Sequence, residues 1–180
     1  RIGENDTGLN TGGMGAVSPP PFLNKKLKSK IELNIIKPTI QGLKKDNIPF
    51  VGFIFFGLII VKEDPKVIEY NVRMGDPETE VVFPRIKSDF LELIMALDSG
   101  NLNSFDLQID NEPAVTIVLV SGGYPEKYEI NKQIFGLENI SKTDSYVFHA
   151  GAKIENKVLK TSGGRVLAIT SKAKSIGLAL

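Results

Sequence analysis

Three polar side chains in the stretch KVIEYNVRMGDPETE, residues 66–80, have types and spacing suited to metal and phosphate chemistry. In a strand, Glu69, Asn71 and Arg73 would share one face, because successive side chains alternate. Carboxylate and amide oxygens suit a hard cation such as Mg2+, which completes its shell with water and phosphates. Arg73 would then face the same phosphates. A surface Glu–Arg pair along a strand gives the same pattern, so the spacing alone does not decide. On the opposite face we predict that Ile68, Tyr70 and Val72 anchor the strand in the core.

A glycine-rich loop, NTGGMGA, is a second candidate site. Gly12, Gly13 and Gly15 would let backbone amides approach a phosphate or carboxylate closely. An ordinary turn has the same composition, and the loop matches neither the Walker A spacing nor the dinucleotide fingerprint. The motif alone therefore leaves both interpretations open.

Two basic residues near the end of the chain are candidates for binding an anion. Arg165 follows the sequence SGG, and a hairpin that brings it close to Lys153 would hold a phosphate ester. A solvated pair is the alternative. His149 lies in an apolar strand, so we predict a packed histidine rather than a catalytic one.

Composition limits the classes of function. The 180 residues are 42% hydrophobic and carry a net charge of +1, which indicates a globular protein and gives no sign of nucleic-acid or membrane binding. The chain has no cysteine, which excludes disulfides and thiolate sites and fits a cytoplasmic location. The longest apolar run, residues 48–61, is too short to span a bilayer and is predicted to be core strand. Both ends of the chain suggest an interior piece of a longer polypeptide.

The first half of the chain predicts a loop, a helix and a hairpin. Residues 1–22 are dense in turn-forming residues and predict a loop. Apolar residues then recur every fourth position from Leu23 to Ile35, which predicts an amphipathic helix that Pro38 kinks or ends. The runs 50–61 and 66–73, separated by KEDP, predict an antiparallel hairpin.

Two helix starts follow the hairpin. Asp76 and Pro77 resemble an N-cap followed by proline at the first helical position. Ser88 is predicted to cap a second helix, DFLELIMALDSG, which has a clearer helical pattern than the first and ends at Gly100.

The composition of the sequence changes between residues 101 and 112, a stretch that is polar and rich in turn-forming residues. Beyond this polar stretch, short strands punctuated by SGG predict a small antiparallel sheet or a fragment of a barrel. We therefore predict an α+β fold with two domains, residues 1–108 and residues 109–180.

Five segments together resemble one family. They are DTGLNTGGMGAVSPPP, KVIEYNVRMGDPETE, PRIKSDFLELI, SGGYPEKYE and FHAGAK followed by TSGGRVLAIT. In order and spacing they are similar to phosphoribosylamine–glycine ligase, or glycinamide ribonucleotide synthetase, of the ATP-grasp superfamily. The resemblance covers essentially the whole chain. It implies that residues 1–108 are the second half of an ATP-grasp domain and that residues 109–180 are a β-rich C-terminal domain lacking its end.

The resemblance also implies a reaction in purine biosynthesis. ATP would phosphorylate glycine to glycyl phosphate, and the amine of 5-phosphoribosylamine would displace phosphate to form the amide. The chain would be an incomplete portion, inactive alone, whose partner is the missing N-terminal part of the same enzyme. A non-catalytic binding or assembly module with the same fold is the alternative.

Roles for single residues follow from the same resemblance. Glu69 and Asn71 would hold Mg2+ or Mn2+ and, with Arg73, bind ATP. Arg73 would be the catalytic residue that steadies the transferred phosphoryl group, and we expect Asp76 and Glu78 to support it or to cap the following turn. The residues expected to bind glycine or phosphoribosylamine are Asn10, Thr11, Gly12, Gly13, Gly15, Lys153 and Arg165.

Overall fold

The structure is a computed structural model that describes residues 1–140 and 145–180. Its strands are β1 Gly15–Ser18, β2 Phe55–Val61, β3 Asp64–Asn71, β4 Ala114–Val120, β5 Ser145–His149, β6 Ala152–Glu155, β7 Val158–Thr161 and β8 Arg165–Lys172. Its helices are α1 Lys25–Ile31, α2 Lys37–Lys45, α3 Thr79–Val82, α4 Phe90–Asp98, α5 Leu137–Ile140 and α6 Ile176–Ala179. Helices and antiparallel sheets together confirm the predicted α+β class.

The described residues form two compact units that interleave along the chain. One unit comprises Arg1–Ser18, Asp76–Lys87 and Ile109–Leu180, and the other comprises Pro19–Gly75 and Ser88–Gln108. We call them the sheet unit and the hairpin unit. The division into domains at residue 108 stays a prediction.

The sheet unit is built on four antiparallel strands in the order β1-β4-β8-β5. The inward residues of β4 and β8 form its core, and Val81 of α3 is 1% exposed. Inside this core, Thr170 donates a hydrogen bond from its hydroxyl to the hydroxyl of Thr116, at 2.8 Å. The Thr116 hydroxyl in turn donates to the carbonyl of Ile169 at 3.3 Å, so both hydroxyls have partners and the core tolerates them. The small antiparallel sheet predicted for the second half is confirmed.

Two predictions for the sheet unit are wrong. Residues 15–18 are not a loop, because β1 pairs with β4 in the register Gly15–Ile117 to Ser18–Ala114. A partner strand 100 residues away supplies that pairing, which local composition does not reveal. Asp76 does not cap a helix, since α3 begins only at Thr79, and its carboxylate binds Arg165 instead.

The long helix of the hairpin unit continues through Pro38. A π-helical segment, Glu32–Ile36, joins α1 to α2, and the amide of Lys37 donates to the carbonyl of Glu32 five residues back. The wider hydrogen-bonding pattern of this segment accommodates a residue without an amide proton. Of the two predicted alternatives, that Pro38 ends the helix is therefore wrong, and the irregularity that precedes it is the π-helical segment. Leu27 and Ile35, from the predicted apolar stripe, are buried.

The predicted hairpin is confirmed as β2 and β3. Lys62 and Glu63 make its tight turn with positive φ angles of 50° and 65°, and a bulge lies between Gly57 and Leu58. The helix after it, α4, is capped by the carboxylate of Asp89, which accepts from the amides of Leu91 and Glu92. The prediction of Ser88 as the cap is therefore wrong.

The apolar face of β3 is not buried as predicted. Ile68, Tyr70 and Val72 are 65%, 52% and 75% exposed. A two-stranded ribbon has few neighbouring segments that could cover one of its faces. The Tyr70 ring packs edge-to-face against the ring of Phe56. Among the described residues, no helix has the length and apolar character needed to cross a membrane.

Candidate functional site

Strand β3 brings the side chains of Glu69 and Asn71 together. They share a face because they lie two positions apart in an extended strand. The Nδ2 atom of Asn71 donates a hydrogen bond to Oε1 of Glu69 at 2.9 Å. This bond orients the Asn71 amide so that its NH2 group faces Glu69 and its oxygen points away from the donated hydrogen. The pair therefore offers a carboxylate and an amide oxygen as acceptors on the same face of the strand.

Gly57 of β2 makes room for Glu69. It lies opposite Glu69 in the hairpin, and a Cβ atom added to it would come within 2.8 Å of the Glu69 Cγ atom. Real side chains do not approach so closely, so a larger residue at 57 would displace the carboxylate. This supporting role was not predicted, and the sequence signal for it is a glycine inside a strand.

Arg73 lies just beyond the end of β3. Its Nη1 atom donates to the carbonyl of Met74 at 2.8 Å, and its side chain is exposed. Its guanidinium can therefore reach a ligand in solvent. Among the described residues, no group of three or more His, Cys, Asp or Glu side chains could hold a metal. A cation here would depend on few protein ligands.

In the sheet unit, the guanidinium of Arg165 forms a bidentate ion pair with the carboxylate of Asp76. The guanidinium donates through Nη1 to Oδ1 at 3.2 Å and through Nη2 to Oδ2 at 2.5 Å. The same Nη1 donates to the carbonyl of Gly13 at 3.0 Å. Arg165 thus ties the glycine-rich loop to the turn that precedes α3. These bonds use three of its five N–H groups, which leaves two directions for a ligand.

The glycines of the loop pack closely against other segments of the sheet unit: Gly12 against the Arg165 guanidinium, Gly13 against the Pro77 ring and Gly15 against the backbone of β4. A Cβ atom on Gly13 would lie 2.2 Å from Cδ of the buried Pro77, and one on Gly15 would lie 2.8 Å from the carbonyl of Thr116. The Gly12 amide donates to the hydroxyl of Tyr124 at 3.3 Å. Close packing therefore accounts for these glycines, and the Gly12 amide already has a partner.

The remaining residues predicted to bind substrate lie apart from these bonds. Asn10 is exposed and Thr11 half-buried in the same loop. Lys153 is paired with Glu155 at 3.5 Å, not with the carboxylate that binds Arg165. Glu155 also accepts from Lys160, and that hydrogen bond is the main reason that its pKa is lowered. His149 is exposed at the end of β5, so the prediction of a packed histidine is wrong.

Sequence reasoning missed Glu80. This residue of α3 lines a small cavity of about 30 Å3 with Asp76, His149 and Arg165. Its Oε2 atom is buried and has no hydrogen-bond partner among the described residues. Burial raises the pKa of the carboxyl and the negative charge of Asp76 adds to that effect, whereas a backbone hydrogen bond of Glu80 itself and the charge of Arg165 oppose it. Only the fold reveals this environment, since nothing in GDPETE distinguishes Glu80 from a surface acid.

Family models match most of the chain. The ATP-grasp (A) domain of phosphoribosylglycinamide synthetase matches residues 1–79, and the C domain of the same enzyme matches residues 114–180. These two matches include the strand that carries Glu69 and Asn71 and the strand that begins with Arg165.

Curated relatives cover the whole chain. It is 48% identical over 178 residues to the bifunctional purine biosynthetic protein PUR2,5 of Pichia angusta, covering 98% of the chain and 22% of that protein. It is 43% identical to the phosphoribosylamine–glycine ligase of Fusobacterium nucleatum, covering 100% of the chain and 43% of that enzyme. The chain thus spans less than half the length of these relatives.

Solved structures agree with the sequence relatives. The crystal structure of phosphoribosylamine–glycine ligase from Thermotoga maritima matches with a TM-score of 0.81 at 32% identity, over 97% of this chain and 42% of that one. N5-carboxyaminoimidazole ribonucleotide synthetase from the same organism matches with a TM-score of 0.60 at 16% identity, over 92% of this chain and 41% of that one, which shows likeness of fold alone. The chain belongs to the phosphoribosylglycinamide synthetase family of the ATP-grasp superfamily.

Proposed function

We propose that this chain forms part of a phosphoribosylamine–glycine ligase. The reaction joins glycine to 5-phosphoribosylamine through glycyl phosphate and yields glycinamide ribonucleotide, ADP and phosphate. The observation that carries the proposal is the hydrogen-bonded Glu69–Asn71 pair on one face of β3, in a chain of this family. The enzyme is cytoplasmic and works in purine biosynthesis. The remainder of the enzyme, beyond the part that this chain matches, is its partner.

Glu69 and Asn71 are the residues that would hold a divalent cation, Mg2+ or Mn2+. Their donor set fits, because Mg2+ is commonly bound by one or two protein oxygens and takes its other ligands from water and phosphate. When bound, such a cation neutralises charge on the phosphate oxygens of ATP. The Asn71–Glu69 hydrogen bond orients both side chains in advance of binding.

Arg73 is the proposed catalytic residue. Its guanidinium can donate two parallel hydrogen bonds to one phosphoryl group. Exposure at the end of β3 leaves the head free to turn from the Met74 carbonyl to a ligand. Its task is to stabilise charge that builds on the transferred phosphoryl oxygens.

The sheet unit supplies the proposed acceptor residues. Arg165 has N–H groups to spare after binding Asp76, and Lys153 is half-exposed, so both can donate to the phosphate of the ribose. The loop from Asn10 to Gly15, with Thr11, Gly12 and Gly13, forms the wall beside them that contacts glycine or phosphoribosylamine.

Glycine-dependent release of ADP tests the proposal. The assay uses the full-length enzyme that carries these residues, with ATP, glycine and 5-phosphoribosylamine. Replacing Glu69 by alanine should lower turnover by at least about tenfold, because a ligand of the phosphate-bound cation is lost. Glu63→Gln is the matched control, since Glu63 lies at the turn of the same hairpin and bonds to Lys26.

Two results would contradict the proposal in different ways. Equal turnover of Glu69→Ala and the unmodified enzyme would show that the cation is bound elsewhere. No glycine-dependent ADP release from the unmodified enzyme would identify the chain as part of a non-catalytic module with the same fold.

A further inference from the structure

Two carboxyl groups, those of Asp76 and Glu80, line the same cavity as the guanidinium of Arg165. The guanidinium is already matched by the carboxylate of Asp76, at 2.5 Å for the shorter bond. Glu80 lines the same cavity and has no cation of its own among the described residues, since its Oε2 atom is buried and lacks a hydrogen-bond partner. Ionising the carboxyl is costly at Oε2, because burial removes water from that atom without supplying a donor, whereas a backbone hydrogen bond of Glu80 itself favours the ionised form.

The charge of this cluster depends on one proton. With Glu80 protonated, Asp76 and Arg165 cancel and the cluster is neutral. With Glu80 ionised, the cluster carries one net negative charge beside the guanidinium. A phosphate group binding to the remaining N–H groups of Arg165 would be repelled by that charge.

The groups packed around Glu80 support this reasoning. Burial is the largest effect and raises the pKa of its carboxyl, and the negative charges of Asp76 and Glu78 raise it further. A backbone hydrogen bond of Glu80 itself and the positive charge of Arg165 lower this pKa, but the net direction is upward. His149, on β5, lines the cavity. Strands β1 and β4, with sequences GAVS and AVTIVLV, contribute no titratable side chain.

Two other cations of the sheet unit, Arg85 and Lys172, are engaged elsewhere. Arg85 donates to Ser18 and to the carbonyls of Asp110 and Glu112. Lys172 donates to the carboxylate of Asp110 at 2.6 Å.

We propose that Glu80 is a positioning residue that couples anion binding at Arg165 to the uptake of one proton. A protonated Glu80 leaves Arg165 able to receive a phosphate group, and an ionised Glu80 weakens its binding. The inference rests on the proposed role of Arg165 toward the ribose phosphate and assigns to the same site a dependence on pH. It also gives a role to the buried Oε2 atom of Glu80, which has no hydrogen-bond partner among the described residues.

Sulfate binding to the 180-residue chain tests the inference. Sulfate imitates a phosphate group but does not titrate above about pH 3, so any change with pH comes from the protein. Affinity is measured by calorimetry between about pH 5 and 8 at constant, low ionic strength. His149 lines the same cavity, so the series is run in a His149→Gln background, in which no imidazole remains.

The expected result is a loss of sulfate affinity as pH rises. A unit charge within about 10 Å at an effective dielectric constant of about 20 predicts a loss of about tenfold or more, equivalent to at least about 1.4 kcal/mol. Glu80→Gln fixes the neutral state, so its affinity should stay constant at the value that the unmodified residue shows at low pH. Glu126→Gln, an exposed acid in the same unit, should keep the full dependence on pH.

Three results would overturn the inference. One is a flat pH profile in the chain that retains Glu80, and another is an unchanged slope in Glu80→Gln. The third is no sulfate binding at any pH, which would also remove the proposed phosphate role of Arg165. The proposal of ligase activity would stand or fall separately, on the release of ADP.

Discussion

Replacing Gly13 by alanine should destabilise the sheet unit. The new methyl group would lie 2.2 Å from Cδ of Pro77 and 3.0 Å from the carbonyl oxygen of Asp76. Normal contact requires more than 3.4 Å, so one segment must move by about 1 Å, and the buried proline ring cannot rotate away. Overpacking of this kind costs about 1–3 kcal/mol. The movement would also loosen the bond from Arg165 to the carbonyl of Gly13.

Urea unfolding measures this effect. With a slope of about 2 kcal/mol per molar urea, the midpoint should fall by about 0.5–1.5 M. Gly122→Ala is the matched control in the same unit, because a Cβ atom there meets nothing within 4 Å and its φ is not positive. The control should be unchanged or more stable by up to about 1 kcal/mol. Equal midpoints for the two variants would refute the packing argument and favour a loop glycine kept for ligand contact.

Two further predictions concern the sheet unit. The hydrogen bond from Lys172, together with one from the amide of Glu112, lowers the pKa of Asp110 from 3.8 to about 2. The ionised Asp110 therefore contributes stability above pH 3.8, and this contribution is lost as pH falls toward 2. Asp110→Asn should therefore lower stability at neutral pH and flatten the acid limb of the stability curve, and an unchanged acid limb would contradict this. A Cβ atom on Gly164 would lie 2.3 Å from the ring of Tyr124, so Gly164→Ala should lower the melting temperature. The decrease should exceed that of Tyr124→Phe, because Tyr124→Phe loses only one hydrogen bond of 3.3 Å. The reverse order of melting temperatures in calorimetry would be inconsistent with the structure.

Periodicity in the sequence predicts local structure well in this chain. The alternation of Glu69 and Asn71 predicts the shared face on which their side chains meet. The spacing of Leu27 and Ile35 predicts the buried side of the long helix. Both depend on residues a few positions apart, so the chain itself carries the information.

Contacts between distant segments are not predictable in this way. The loop carrying Gly13 is held by Arg165, 152 positions away, and β1 exists only because β4 pairs with it. The isolation of Glu80 depends on which residues the fold places around it. The exposure of Tyr70 likewise follows from the number of strands beside β3, which the alternating pattern does not fix.

Binding of Mn2+ in the presence of ATP tests the metal assignment most directly. Free Mn2+ is quantified by electron paramagnetic resonance in the full-length enzyme, in Glu69→Gln and in the control Glu63→Gln. We predict that Glu69→Gln weakens Mn2+ binding by at least about tenfold, or about 1.4 kcal/mol, whereas the control binds as the unmodified enzyme does. Equal Mn2+ affinity in Glu69→Gln and the unmodified enzyme would contradict the assignment of β3 as the metal-binding strand.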